Sequence, residues 1–159
     1  MDEEKYMTLN DFELGWLTGI VEGEGSFGFT GPYETPCIRV GMTDKDIIER
    51  AARLLGVKVY KEERHSSRKT VWLIRISDQL KIVYLLTAMI PGLGERRSRS
   101  AKNLLKRSIE LVEKSADMKQ KRILARAIYA TGKFTFLSLT KKTGIPKNSI
   151  ANMLRHRPI

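Results

Sequence analysis

Gly15, Gly19 and Gly23 recur at every fourth position of the apolar stretch "LGWLTGIVEGEGSF" (14–27). Each costs a helix interior about 1 kcal/mol relative to alanine. Even so, Leu14, Leu17, Ile20 and Val21 follow helical spacing, and Asn10 or Asp11 can cap the start, so the stretch predicts a helix running to about Val21. Glycines at i, i+4 and i+8 share one helix face, and a stripe without side chains lets a second backbone approach closely. Thr18 flanks that stripe. The chain holds no second copy of the segment, so the expected partner is another subunit: a two-fold homodimer with Gly15, Thr18, Gly19 and Gly23 at its interface.

The helix closes with Glu22 and Glu24, where the macrodipole disfavours anions. Two-fold packing would gather two copies of Glu24 beside the axis, with Glu22 nearby, and such acids repel unless a cation lies between them. Cys37, His65 and His156 are too few for a zinc set, and a single cysteine cannot form an internal disulfide. Hard carboxylate oxygens fit Mg²⁺, or Mn²⁺. A metal offered in this way to a phosphodiester can activate water and stabilise the leaving oxygen. No small-molecule cofactor is expected.

Downstream, "SFGFT" and "CIRVGMT" alternate around Gly31 and Pro32 and predict a hairpin. Phe27, Phe29, Ile38, Val40 and Met42 are expected to face the core, and Gly28, Thr30, Cys37, Arg39 and Gly41 to face outward. "TDKDIIERAARLLG" predicts a helix with Thr43 as N-cap, Asp44 and Asp46 in its first turn and Gly56 as its stop. A second hairpin follows from "VKVYKEE" and "KTVWLIRIS" around "RHSSR". "DQLKIVYLLTAMI" predicts a third helix, ended by Pro91 and Gly92, and "RSRSAKNLLKRSIELVEKSA" a long fourth. The order αββαββαα predicts an α+β fold, a curved antiparallel sheet with helices on a single face.

The chain of 159 residues carries a net charge of +11, unevenly spread. Residues 1–36 hold eight acids against Lys5, whereas the segment from Met118 to Ile159 holds ten Lys and Arg and no acid. Such a distribution predicts a polyanionic partner, most simply double-stranded DNA. The uncovered sheet face offers Thr30, Arg39, Lys58, Tyr60 and Arg75, and a two-stranded ribbon fits the major groove. Farther on, "MKQKRILARAIYATG" predicts a basic helix and "TFLSLTKKTGIPKNSIANMLRH" two short helices around Gly144, with Thr135 and Pro146 at their starts. Ile150 and Leu154 point one way while Asn148, Asn152 and Arg155 point another, beside Lys147. This is the pattern of a helix-turn-helix whose second helix meets base edges. No apolar run is long enough to span a bilayer, and the start lacks a secretory pattern, so an intracellular, cytoplasmic or nucleoid-associated protein without a membrane partner is expected.

"LTGIVEGEGSF" (17–27) resembles the signature of the LAGLIDADG homing endonucleases in its helix, its glycines, its two acids and the following Gly-Ser-Phe. With the element order, the resemblance covers about residues 10–115. It implies an endonuclease domain over 1–116, a saddle-shaped sheet over the major groove, and a helix-turn-helix tail over 117–159 of a kind appended to some nucleases. By motif position Glu24 is the metal ligand and Glu22 the second acid. Asp44 stands where the family often has a polar residue that positions water. A basic residue opening the final long helix supports the catalytic water or transition state, and either Arg96 or Arg97 fills that place, with Arg99 nearby as a DNA contact. Two departures stand out: both acids are Glu rather than Asp, and the usual lysine is an arginine, which stabilises charge but is a poor base. The same residues accommodate two alternatives, a DNA-binding regulator of this fold that does not cut and an intron maturase that binds RNA.

Overall fold

The computed structural model describes residues 9–62, 70–130 and 136–155, and within them the side chains of all but 126–130, 136 and 153–155. The chain divides into two units, Met1–Glu110 and Leu111–Ile159.

The first unit begins with α1 (Asp11–Glu24). Asn10 is its N-cap: the Asn10 side chain accepts from the Glu13 N–H at 2.9 Å, and the Glu13 carboxylate accepts from the Asn10 N–H at 3.0 Å. That reciprocal pair fixes the helix start. The helix then runs past Val21, its expected end, to Glu24. Strands β1 (Gly25–Thr30) and β2 (Thr35–Met42), helix α2 (Lys45–Leu55), strands β3 (Val59–Glu62) and β4 (Val71–Ile76), and helix α3 (Gln79–Met89) follow. A 3₁₀ turn over Ile90–Gly92 leads into α4 (Glu95–Ala130).

All strand pairs are antiparallel, in the order β1-β2-β4-β3. Register places Phe27 opposite Ile38, Val40 opposite Ile74 and Met42 opposite Trp72, so one face is apolar throughout. On that face Ile38, Val40, Ile74 and Ile76 pack with Leu17 and Val21 of α1, Ile48 and Leu55 of α2, and Leu85 and Leu86 of α3. Ala101 and Leu104 from the first turns of α4 complete the cluster. Burying each of the larger aliphatic side chains contributes about 1.5–3 kcal/mol. The helices therefore cover one face of the sheet and leave the other open.

Alternation misjudged two side chains. Phe29, near the end of β1, lies outside the helix-covered cluster and is 50% exposed. Cys37, expected outward, is buried, a small side chain on an interior strand of the sheet. The α2 N-cap is Asp44 rather than Thr43, and its carboxylate makes no capping bond. At the other end Gly56 takes a left-handed conformation (φ 58°), and the Lys81 ammonium of α3 donates to the Leu55 carbonyl at 2.7 Å. The turn "RHSSR" lies outside the described residues.

In the second unit, the helix expected to begin near Met118 is not separate, because α4 is continuous over Glu95–Ala130. "SADMK" contains neither Gly nor Pro, and Lys121 pairs with Asp117 one turn back at 2.6 Å. Helices α5 (Phe136–Thr143) and α6 (Lys147–Arg155) follow. Between them Gly144 is left-handed (φ 70°) and donates to the Thr140 carbonyl at 2.9 Å, while Pro146 accepts from the Ile150 N–H at 3.1 Å. Leu139, Ile145 and Ile150 pack with Ala125 and the partly buried Met118 as a small core of their own. Thr135 lies outside the described residues, as do the side chains of Leu154 and Arg155. Among the described residues no helix is long and apolar enough to cross a membrane.

Candidate functional site

The acid-bearing end of α1 is tied to the start of α4 by bonds in both directions. The Glu22 carboxylate accepts from the Gly94 N–H at 3.0 Å, and Gly94 in turn accepts from the Ser98 N–H as α4 begins. An acid at a helix N-terminus is favoured by the dipole by about 0.3–1 kcal/mol. Reciprocally, the Arg97 guanidinium donates through Nη2 to the Gly23 carbonyl at 3.1 Å and through Nη1 to the Gly25 carbonyl. Helix-end carbonyls lack intrahelical donors. A cation there supplies donors and offsets the dipole, which is why α1 can continue beyond Val21 into a glycine-rich, acid-rich end.

Glu24 stands apart from this arrangement. It is exposed, and among the described residues its carboxylate has no hydrogen-bond or ion-pair partner. Asp44, exposed after β2, is equally unengaged. Arg96 points its side chain to solvent, and Arg99 pairs with Glu95 at 3.0 Å on an exposed turn, a contact worth little. The choice between Arg96 and Arg97 is thus sharpened: only Arg97 reaches the α1 end.

Along α1, Gly15, Gly19 and Gly23 form an exposed stripe, and a Cβ built on any of them meets nothing within 4 Å. Phe12, at 70% exposure, lies at its N-terminal end. Thr18 is not on this stripe. It is buried, donates to the Leu14 carbonyl at 2.7 Å, and packs its methyl against Gly92, where an added Cβ would come within 3.0 Å.

On the open sheet face, register sets Ser26 opposite Arg39 and Arg39 opposite Arg75, one polar row across three strands. Tyr60, half exposed, sits on the same face opposite Leu73. Lys58 is exposed just ahead of β3, and the Thr30 hydroxyl at the end of β1 donates to the Thr35 carbonyl at 3.4 Å. Periodicity found this face but missed Ser26, whose place depends on its partner rather than on its own strand. It also missed Gly94, whose contribution is a main-chain N–H that no residue pattern announces. On α6, Lys147, Asn148 and Asn152 are exposed while Ile150 is buried, and Ser149 joins them on the exposed side.

Among the described residues of this site, the candidate donors for a cation are hard carboxylate oxygens. Among the described residues no three His, Cys, Asp or Glu side chains gather to hold a metal. One carboxylate completed by phosphate oxygens and water is nevertheless a usual setting for Mg²⁺, so a single exposed Glu24 fits that ion only with contributions from outside this chain.

No protein-family model and no curated protein matches the chain. Solved structures do. An archaeal intron-encoded homing endonuclease complexed with DNA, I-Vdi141I, superposes with a TM-score of 0.53 at 16% identity, over 91% of this chain and 96% of its own. The LAGLIDADG meganuclease I-AabMI, bound to uncleaved DNA, gives 0.51 at 17% identity over 69% of this chain and 39% of its own. At such identities the likeness concerns the course of the backbone. With its αββαββα order, its four-stranded antiparallel sheet and its helices on one face, the chain has the fold of the LAGLIDADG homing endonucleases.

Proposed function

We propose that the protein is a homodimeric, divalent-metal-dependent endonuclease that hydrolyses phosphodiester bonds at specific sites in double-stranded DNA. The observation that carries this reading is Glu24, a solvent-facing carboxylate without a partner among the described residues, held at the end of a helix whose exposed stripe is glycine. Stability alone gives no reason for an unpaired acid at a helix C-terminus. Two copies of α1 packed on their glycine stripes would bring both Glu24 side chains to one axis, where they and DNA phosphates would hold Mg²⁺. Bound there, the ion would activate water and stabilise the leaving oxygen.

The rest of the chain would bind and orient the substrate. Arg39 and Arg75, side by side on the open sheet face, suit phosphates or guanine edges. The second unit would act as a helix-turn-helix, with Lys147, Asn148 and Asn152 toward DNA, lengthening the site. The homing endonuclease and the meganuclease of the same fold, both complexed with DNA, support the substrate class.

Incubation with a randomised-duplex library, in Mg²⁺ and then in Ca²⁺, followed by sequencing of cut ends and bound fragments, tests this. Cut ends enriched for one near-palindromic sequence in Mg²⁺ are expected. One observation favours a second reading, a regulator that binds without cutting: both terminal nitrogens of Arg97 already serve main-chain carbonyls, leaving it less free to support a transition state. Bound fragments without cut ends would select that reading.

A further inference from the structure

We infer that Glu22 and Arg97 are positioning residues, a two-way clasp that holds Glu24 in place, and that neither is a metal ligand or a catalytic residue. The inference rests on the proposed metal-binding role of Glu24. By motif position Glu24 is the metal ligand, Glu22 a second acid without an assigned role, and Arg96 or Arg97 a support for the catalytic water or transition state. Their contacts differ sharply. One oxygen of the half-buried Glu22 carboxylate accepts from the Gly94 N–H, and an alanine Cβ at Gly94 would come within 3.0 Å of the other, so the acid lies close against that residue. Arg97 reaches the carbonyls of Gly23 and Gly25, the residues on either side of Glu24. With the carbonyls of both neighbouring residues bonded to α4, the backbone around Glu24 is held although its side chain is exposed.

The clasp also accounts for a charge order that would otherwise be unfavourable. An acid and a base exchanged between the end of one helix and the start of another each sit where the local dipole favours them. Gly25 fits the same device. A Cβ at Gly25 would lie 2.4 Å from the Val21 carbonyl oxygen, so this turn admits no side chain. Glu24 is left as the acid of the pair whose carboxylate bonds to none of the described residues.

Two readouts on the full chain test the clasp. The first is hydrogen exchange at the Gly94 amide, followed by NMR. Glu22→Gln keeps an acceptor oxygen and should preserve protection, while Glu22→Ala should accelerate exchange about tenfold or more, as local opening does. Equal exchange in all three proteins overturns the clasp. The second, on the complex with duplex DNA that supplies the phosphate oxygens, is broadening of the Gly23 and Gly25 amides by Mn²⁺. Glu22→Gln should bind Mn²⁺ within about twofold of the unsubstituted protein, whereas Glu24→Gln abolishes the effect. Removing a partner that orients a ligand costs about 10–100-fold in metal affinity. Arg97→Ala should therefore weaken Mn²⁺ binding, with Arg97→Lys restoring part of the loss. Simple electrostatics predicts the opposite sign, since deleting a positive charge near a cation strengthens its binding. Tighter Mn²⁺ binding in Arg97→Ala, or a loss in Glu22→Gln as large as in Glu24→Gln, overturns the inference. Absence of broadening in the unsubstituted protein overturns the metal reading and with it the positioning role, and Gly94 exchange then still decides whether the clasp exists.

Discussion

Arg39 stands directly opposite Arg75 across the β2–β4 ladder, both side chains exposed on the face opposite the helices of the first unit. Like charges facing each other across a sheet destabilise it, by about 0.2–1 kcal/mol for a close pair. Ser26, on the other side of Arg39, offers no charge to offset them. The pair is expected to relax when an anion lies over both. Arg39→Ser should accordingly raise thermal stability slightly in the free protein and weaken DNA binding. If Arg39 meets a phosphate, the slope of log K against log salt should flatten by about 0.9. A variant that gains stability with unchanged affinity and slope would assign the pair no DNA contact.

The glycine stripe separates two states of the protein by sign. Within one protomer a methyl at Gly19 meets open space, so Gly19→Ala should stabilise an isolated chain by up to about 1 kcal/mol. In a dimer packed backbone to backbone, the same methyl should force the helices apart. Sedimentation equilibrium and thermal unfolding, run together, are expected to show a more stable monomer with weakened self-association. Unchanged association would remove α1 from the interface.

Much of this was legible in the residues. Helix and strand order followed from periodicity, and Gly56, Asn10 and Pro91 marked boundaries because each acts locally. The α1 terminus was not legible, since it depends on Arg97, a residue more than seventy positions away that supplies the missing donors. Thr18 was placed beside the glycines by spacing alone, whereas its burial is decided by Gly92 in the 3₁₀ turn. Composition changes near Met118 within the long α4, yet composition does not break a helix that contains neither Gly nor Pro. Motif position distinguished Glu24 from Glu22, but the role of Glu22 was not legible, as it depends on a single main-chain N–H.

Glu24→Gln keeps size and polarity but removes the charge a metal requires. In the proposed dimer it should leave duplex affinity in Ca²⁺ nearly unchanged and abolish cleavage in Mg²⁺, as read on supercoiled plasmid carrying a recovered target. The fold should be unaffected, because Glu24 is exposed and bonds to none of the described residues. Retained cleavage would sink the assignment of this acid.

The second unit separates affinity from specificity. Lys147 and Asn152 are both exposed on α6, away from the buried Ile150, so neither substitution should disturb the core formed by Leu139, Ile145 and Ile150. A lysine at the start of such a helix is placed for phosphate, and an amide farther along it for an adenine edge. Lys147→Ala should weaken binding to all duplexes alike and lower the salt slope by about 0.9. Asn152→Ala should cost about 1–3 kcal/mol on the preferred sequence and much less on others, flattening the preference at the base pair it meets. Competition binding at several salt concentrations measures both. If the two variants bind every duplex as the unsubstituted protein does, with the same salt slope, then α6 does not touch DNA, and the absence of acids from Met118 onward must serve another polyanion.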